Sequence, residues 1–258
     1  AAAYGEGRAC EEFLRAFDVS EEKTALAFET ARNQQEIVQS AREGDTDVYI
    51  GIPFCPSRCH YCSFASNDVY ACAGLVDAYI AALLREARTV LDALRPALRA
   101  VYIGGGTPAV LDERQLETLL SSLAPYFAGV REYTFEAGRP DSVTPKKLEI
   151  ARRYGAGRVC INPQTLRAET LARIGRAHTP QDFENAFHAA RASGFETINT
   201  DIIAGLPGET QEDVQRTIEG VMRLEPENVT VHALAVKRAS VYHSLGITLT
   251  PPEQAQAM

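Results

Sequence analysis

The chain has 258 residues, 45% of them hydrophobic, a length that suits one large α/β domain with a full core. Its formal net charge of -8 argues against a dominant nucleic-acid surface, which needs clustered Lys and Arg, and no apolar run approaches a membrane span of ~20 residues. The stretch Ala1-Ala-Ala-Tyr-Gly-Glu-Gly-Arg8 lacks the regions of a signal peptide, so a cytoplasmic protein with reduced thiols is expected.

Residues 1–44 read as a helical N-terminal segment: Glu11, Glu12, Phe13, Leu14 and Phe17 give an amphipathic pattern, and Ser20-Glu-Glu-Lys23 reads as a helix start. Residues 45–258 form the core, where strand and helix patterns alternate. The predicted strands are Val48–Pro53, Ala100–Gly104, Glu132–Ala137, Arg158–Gln164, Thr197–Gly205 and Asn228–Ala235. Helices are predicted at Leu75–Leu94, Glu113–Phe127, Pro145–Tyr154, Pro180–Ser193 and Thr210–Leu224. Such alternation implies parallel strands joined by right-handed crossovers. Six units fall short of a closed eight-stranded barrel, so the expected fold is α/β, a partial (β/α)6 barrel of the TIM type. Pro251-Pro-Glu-Gln254 reads as the start of another helix, and a further C-terminal part is expected beyond Met258.

The cysteines Cys55, Cys59 and Cys62 follow the first strand with the spacing C-x3-C-x2-C. Three thiolates from one loop can hold a 4Fe–4S cube and leave one iron open to a ligand. A zinc site favours paired C-x2-C units and four protein ligands, but there is no second pair, and His60 sits between ligands. Cys10, Cys72 and Cys160 read as free thiols.

Sites in parallel α/β folds gather at the C-terminal ends of strands, and the unusual residues of this chain fall there. Tyr102-Ile-Gly-Gly-Gly-Thr-Pro108 ends the second strand, Glu136 the third and Asn162-Pro-Gln164 the fourth, while Asn199 and Asp201 lie on the fifth. By period two, Thr134 and Glu136 share one face and Cys160, Asn162 and Gln164 share another. Glu136 and Asp201 read either as satisfied core carboxylates or as ribose-hydroxyl or amine contacts, the second being favoured. Arg176 suits a carboxylate or a plain surface charge. His178, His188 and His243 read as ordinary surface or loop histidines, and His232 as a hydrogen-bonded core histidine, with a substrate contact as the minority reading.

Cys55-x3-Cys59-x2-Cys62 after a strand, followed by Gly104-Gly-Gly-Thr-Pro108, resembles the radical S-adenosylmethionine (SAM) superfamily. Ile52-Pro-Phe-Cys55, Asn162-Pro-Gln164 and Asp201-Ile-Ile-Ala-Gly-Leu-Pro207 are similar to its oxygen-independent coproporphyrinogen III oxidase family. Glu136-Ala-Gly-Arg-Pro-Asp141 and Val231-His-Ala-Leu-Ala-Val-Lys-Arg-Ala-Ser240 resemble the HemZ-like, coproporphyrinogen dehydrogenase branch. The resemblance runs from about Asp47 to Ser240.

The resemblance implies a reduced cluster that cleaves SAM, giving a 5′-deoxyadenosyl radical that takes hydrogen from the substrate. By motif, Cys55, Cys59 and Cys62 would bind the cluster. Tyr49, Tyr61, Gly105, Gly106, Thr107 and Glu136 would contact SAM. Gln164, Arg176, Asp201 and Ala235 match contacts to a second SAM. The implied substrate is a tetrapyrrole, coproporphyrinogen III, decarboxylated to protoporphyrinogen IX in haem biosynthesis. Lys237 and Arg238 read equally as propionate partners and as a solvated loop. A flavodoxin or ferredoxin would supply electrons.

Other readings in the same family are a haem-binding chaperone, a methyltransferase, a cyclopropanase and an anaerobic haem-degrading enzyme. The sequence departs from the family pattern at Ser63-Phe64, where the best-studied oxidases carry a further Cys. Neither their N-terminal arm nor their substrate-capping C-terminal domain is found in these residues.

Overall fold

The computed structural model describes residues 6–17 and 19–247. The predicted helix at Pro251 and the side chains of Phe13 and Phe17 lie outside what is described. Clustering of contacts divides the chain between Asp45 and Thr46 into two compact units. The first holds α1 (Glu6–Phe17) and α2 (Glu21–Gln39). Ser20 caps α2 by accepting from the Lys23 amide, satisfying one of the four amides a helix start leaves free.

The second unit opens with β1 (Asp45–Ile52), β2 (Phe54–Cys55), β3 (Asn67–Asp68) and α3 (Ala73–Leu94). It continues through β4 (Ala97–Gly105), α4 (Glu113–Phe127), β5 (Glu132–Gly138), α5 (Pro145–Arg153) and β6 (Arg158–Ile161). Then come α6 (Ala168–Arg173), α7 (Pro180–Ala192), β7 (Thr197–Ala204), α8 (Gln211–Met222), β8 (Asn228–Ala233) and α9 (Val241–Ser244). Six parallel strands make one sheet in the order β1-β4-β5-β6-β7-β8, curled into a half-barrel, and β2 and β3 pair separately. No helix of the described residues is long and apolar enough to cross a membrane.

Local sequence explains where the helices begin. Asp112, Thr179 and Thr210 form reciprocal capping boxes with Gln115, Asp182 and Asp213, and Thr144 caps α5. Proline at the first helical position of α5 and α7 supplies a fixed φ where no amide is needed. Asp112, Thr144 and Thr210 lie between a strand end and the next helix, so they also fix where those strand-end loops stop, and Thr179 does the same for the α6–α7 connection.

Strand alternation sorts the two faces of the sheet. Ile50, Ile52, Val101, Ile103, Phe135, Val159, Ile161, Ile198 and Ile202 are buried in one core cluster with helix residues such as Leu116, Leu123, Leu148 and Phe183. Each such side chain, fully buried, stabilises the fold by about 1.5–3 kcal/mol. The alternate residues carry polar groups on the opposite face. Register sets Glu136 beside Cys160 and Cys160 beside Asn199 across three adjacent strands.

The fourth predicted strand is shorter than expected. It ends at Ile161, because Pro163 has no amide for the ladder and Gln164 turns to φ 68. Gln164 rejoins the sheet only as an isolated bridge to Ile202. The short elements β2, β3, α6 and α9 were not anticipated, since two to six residues carry too little periodicity to read.

Candidate functional site

The cysteine loop is fixed at both ends by the β2–β3 pair: the Asn67 amide donates to Pro53 O at 2.8 Å and the Val69 amide to Cys55 O at 3.0 Å. The triple glycine packs directly against it. The Gly106 and Thr107 amides donate to Ile52 O at 2.7 Å and Phe54 O at 2.8 Å. The Thr107 hydroxyl donates to Cys55 Sγ at 3.5 Å.

A side chain at Gly106 would meet Phe54 O at 2.5 Å and Cys55 Sγ at 2.8 Å. One at Gly104 would meet a Glu136 carboxylate oxygen at 2.6 Å, and Gly105 holds φ 112 against the Ile52 backbone. The glycines are therefore required by close approach as well as by backbone conformation. On its other side the loop is held by the α6–α7 connection. The His60 amide donates to Ile174 O at 3.0 Å, His60 Nδ1 to Arg173 O at 2.9 Å, and the Ser57 hydroxyl to Gly175 O at 3.0 Å.

A cavity of about 390 Å³ opens beside the loop, within the ~300–1,000 Å³ range of small-molecule sites. All the predicted site residues border it except Tyr49. Cys55, Cys59, Cys62 and Tyr61 form one side with Gly105, Gly106 and Thr107. Glu136, Gln164, Arg176, Asp201 and Ala235 complete it. Tyr49 is exposed and instead stacks on Tyr102, ring centroids 5.7 Å apart at 11°. Lys237 also borders the cavity, while Arg238 does not, so the two predicted propionate partners are separated.

Hydrogen bonds tie much of the polar wall together. Asn199 Nδ2 donates to Asp201 Oδ1 at 2.8 Å, and the Asp201 amide donates to Asn162 Oδ1 at 3.2 Å. The Gln164 amide donates to Asp201 O at 3.1 Å, and Gln164 O accepts from the Ile203 amide at 2.8 Å. These two bonds hold Gln164 in its left-handed conformation. Arg176 is 8% exposed and donates from Nη1 to Asn162 O at 2.6 Å. Its Nε is buried with no partner among the described residues, and the guanidinium also faces Tyr61 and Cys59.

Burial, reinforced by the neighbouring Asp201, pushes the Glu136 carboxyl up to about 7. Burial also raises Cys160, to about 12, with Glu136 and Asp201 adding to it, so this thiol stays neutral. Cys55 and Cys62 are raised by burial, an effect the Thr107 hydroxyl opposes at Cys55 and the Phe64 backbone opposes at Cys62.

Two histidine expectations are corrected. His178 lies in a loop, as expected, but is 3% exposed rather than a surface residue, and among the described residues neither ring nitrogen has a partner meeting hydrogen-bond geometry. Burial and then the Arg176 charge hold it down to about 4. His232 is not in the core: its side chain is 54% exposed, borders the cavity, and puts Nε2 3.7 Å from Asp201 Oδ2. β8 is the last strand of the sheet, so its inward residues have no further strand to cover them. His188 and His243 are exposed, as expected.

Sequence reasoning missed Arg139. It is 2% exposed, pairs with Asp141 through Nε and Nη2, and sends Nη1 to Ser57 Oγ at 2.7 Å and Ser57 O at 3.2 Å. The same nitrogen lies 4.0 Å from Cys59 Sγ. The motif Glu136–Asp141 contains it, but nothing local tells that it reaches back to the cysteine loop.

This donor set fits an iron–sulfur cluster. Three thiols border one cavity, yet among the described residues no three metal-ligating side chains converge on one point. A cube takes its thiolates at separate corners. The glycines beside Cys55 let the two loops pack with no space for a Cβ, which fixes Cys55 at the cavity border.

The sequence pattern of the Radical SAM superfamily matches residues 49–221, and the chain belongs to that superfamily. Its members use a 4Fe–4S cluster and SAM. Within the superfamily, the likeness is to coproporphyrinogen III oxidase-like proteins. The chain is 35% identical over 237 residues to the oxygen-independent coproporphyrinogen-III oxidase-like protein HemZ of Bacillus subtilis (strain 168), covering 89% of this chain and 47% of that protein. It is 35% identical over 217 residues to the heme chaperone HemW of the same organism, covering 81% and 56%. In fold it is similar to the coproporphyrinogen III oxidase HemN of Escherichia coli, described as a radical SAM enzyme: TM-score 0.72, 24% identity, 83% of this chain and 50% of that one. The chain thus spans about half the length of the proteins it matches.

Proposed function

We propose that this chain carries out radical SAM chemistry on a tetrapyrrole, oxidatively decarboxylating coproporphyrinogen III propionates to the vinyl groups of protoporphyrinogen IX. The observation that carries the reading is one cavity with three thiols on one side and Glu136, Gln164, Arg176 and Asp201 completing it. When bound, the cluster and SAM supply one-electron chemistry able to take a hydrogen atom from unactivated carbon.

Cys55, Cys59 and Cys62 hold three irons and leave the fourth open. Gly105 and Gly106, lacking side chains, let a methionine moiety approach their backbone. Glu136 and Asp201 accept hydrogen bonds from ribose hydroxyls or an ammonium group. With its carboxyl near 7, Glu136 ionises most readily when a cation sits beside it. The buried Arg176, held by Asn162 O, brings a positive charge to the cavity border that suits a carboxylate. Gln164, Arg176, Asp201 and Ala235 support room for a second SAM. Lys237, at the cavity border, meets a propionate. The cytoplasm suits a chain whose free thiols must stay reduced.

A haem chaperone is the second reading. It is favoured by Ser63-Phe64, with Phe64 68% exposed at the cavity border, and by the likeness to HemW. Anaerobic reconstitution and reduction, followed by SAM with coproporphyrinogen III or haem, separates the two. Decarboxylated tetrapyrrole formed together with 5′-deoxyadenosine supports the enzyme. Stoichiometric haem binding without turnover replaces it with the chaperone.

A further inference from the structure

The three cysteines of the loop do not receive the same donors. Cys55, the buried one, accepts from the neutral Thr107 hydroxyl at 3.5 Å. Cys62 is met by the Phe64 backbone. Nearby arginines act on these two thiols through charge alone. Cys59 instead lies between two arginines that the fold buries, Arg139 at 2% exposed and Arg176 at 8%. Arg139 comes from the end of β5 and places Nη1 4.0 Å from Cys59 Sγ. Arg176 comes from the α6–α7 connection and faces Cys59 together with Tyr61.

Both guanidinium groups are fixed by their surroundings. Arg139 commits Nε and Nη2 to Asp141, which leaves Nη1 for Ser57 and Cys59. Arg176 Nη1 donates to a neutral acceptor, Asn162 O, at 2.6 Å. The cysteine loop is drawn against the Arg176 segment by the His60 amide on Ile174 O and the Ser57 hydroxyl on Gly175 O. A side chain at Gly175 would meet Arg58 O at 2.9 Å, so this approach depends on the glycine. His178, buried beside Arg176, is held down to about 4 by burial and the Arg176 charge, so it stays neutral and adds no charge. Both arginines border the cavity with Cys59.

We propose that Arg139 and Arg176 are positioning residues for the Cys59 corner of the cluster, meeting that sulfur from two sides and raising the cluster's reduction potential. The proposal rests on Cys55, Cys59 and Cys62 being the cluster ligands. Hydrogen bonds to the sulfurs and nearby charge set such potentials, and charge-assisted bonds are roughly twice as strong as neutral ones. A cluster that takes one electron becomes more negative, so a fixed guanidinium stabilises its reduced form more than its oxidised form. This role needs no SAM, which separates it from a carboxylate contact of Arg176.

The test is a redox titration of the reconstituted chain without SAM, followed by electron paramagnetic resonance, each cluster taking one electron from mediators poised with dithionite. In R139M and R176M the ratio of reduced to oxidised cluster at a fixed poise should fall about tenfold, a midpoint about 59 mV lower for one electron. R176K, which keeps the charge, should recover most of that ratio. T107V, which removes only the neutral donor to Cys55, should change it less than R139M does. The midpoint reads only clusters that have formed, so poorer iron loading by itself does not move it. Unchanged midpoints in R139M and R176M overturn the proposal, and so does a T107V shift as large as that of R139M. An R176M chain that keeps its midpoint but binds less SAM overturns the role given to Arg176. Should R176M fail to fold, R139M against T107V still decides. A parent chain that develops no iron–sulfur absorption overturns the ligand assignment itself, a failure seen before any titration begins.

Discussion

Arg139 and Asp141 form a two-point ion pair, Nε to Oδ1 at 3.1 Å and Nη2 to Oδ2 at 2.9 Å, that leaves the Arg139 side chain 3% exposed. The pair orients the remaining nitrogen toward Ser57 and Cys59, so a residue of the β5 end braces the cysteine loop. Removing Asp141 strands a buried cation, and D141A should cost about 3 kcal/mol in a denaturant titration. The double variant R139L/D141L should be less destabilised than D141A, since it leaves no charge behind. R139L/D141L should load less iron per chain than the parent, because it removes the Arg139 donor to Ser57. Full iron loading in R139L/D141L would show that the brace does not position the loop.

Gly106 gives a second handle on the same loop. The Cβ introduced by G106A meets a carbonyl and a cysteine sulfur, neither of which can move without shifting Cys55. Overpacking of this kind costs about 1–3 kcal/mol. The variant should stay folded by circular dichroism, lower the melting temperature by a few degrees, and lose most of the visible iron–sulfur absorption after reconstitution. Unchanged absorption would show that the cradle tolerates a side chain.

What the sequence made legible was what local chemistry decides. Thr144-Pro145 and Thr179-Pro180 mark helix starts because caps act within four residues, and Ile-rich alternation marks the strands because burial of one face imposes period two. The cysteine spacing and the Gly104–Gly106 run were readable for the same reason. Arg139 was not, since its contact with Ser57 spans 82 positions and its own segment gives no hint of it. His178 was misread because a loop with Arg176 and Thr179 beside it looks solvated, whereas the close packing of that loop buries it. Tyr49 was placed at the cavity by motif, but in the structure it lies stacked on Tyr102 outside the cavity border.

Glu136 makes stability depend on pH. Its carboxyl is held at about 7 in the folded chain, against 4.5 for an ordinary glutamate, so folding favours the protonated form. The associated stability is fully present below pH 4.5 and is lost as pH rises through about 7. E136Q removes the ionisable proton while keeping the shape. It should therefore melt higher than the parent at pH 8, by about 5 °C in the cofactor-free chain, with a smaller gap at pH 5. A gap of the same size at both values would assign the effect to packing. In the reconstituted chain the same variant should weaken SAM binding, measured by calorimetry, because a neutral amide cannot pair with an ammonium group.

Gln164 has φ 68, a left-handed backbone held by its amide bond to Asp201 and its carbonyl bond from Ile203. A non-glycine residue there carries strain of about 1–3 kcal/mol, which glycine does not. The residue meanwhile borders the cavity, so strain and cavity lining reside in one residue. Q164G should then hold or raise the melting temperature, since relief of strain offsets the added freedom of the unfolded chain. Q164V should lower it, because a β-branched residue resists positive φ. Both should reduce binding of SAM at the Gln164 side of the cavity, read as a lower stoichiometry or weaker affinity in calorimetry at full iron loading. If Q164G melts well below the parent, the side chain stabilises the wall by its own bonds. Its conformation would then have a structural cause and not a functional one.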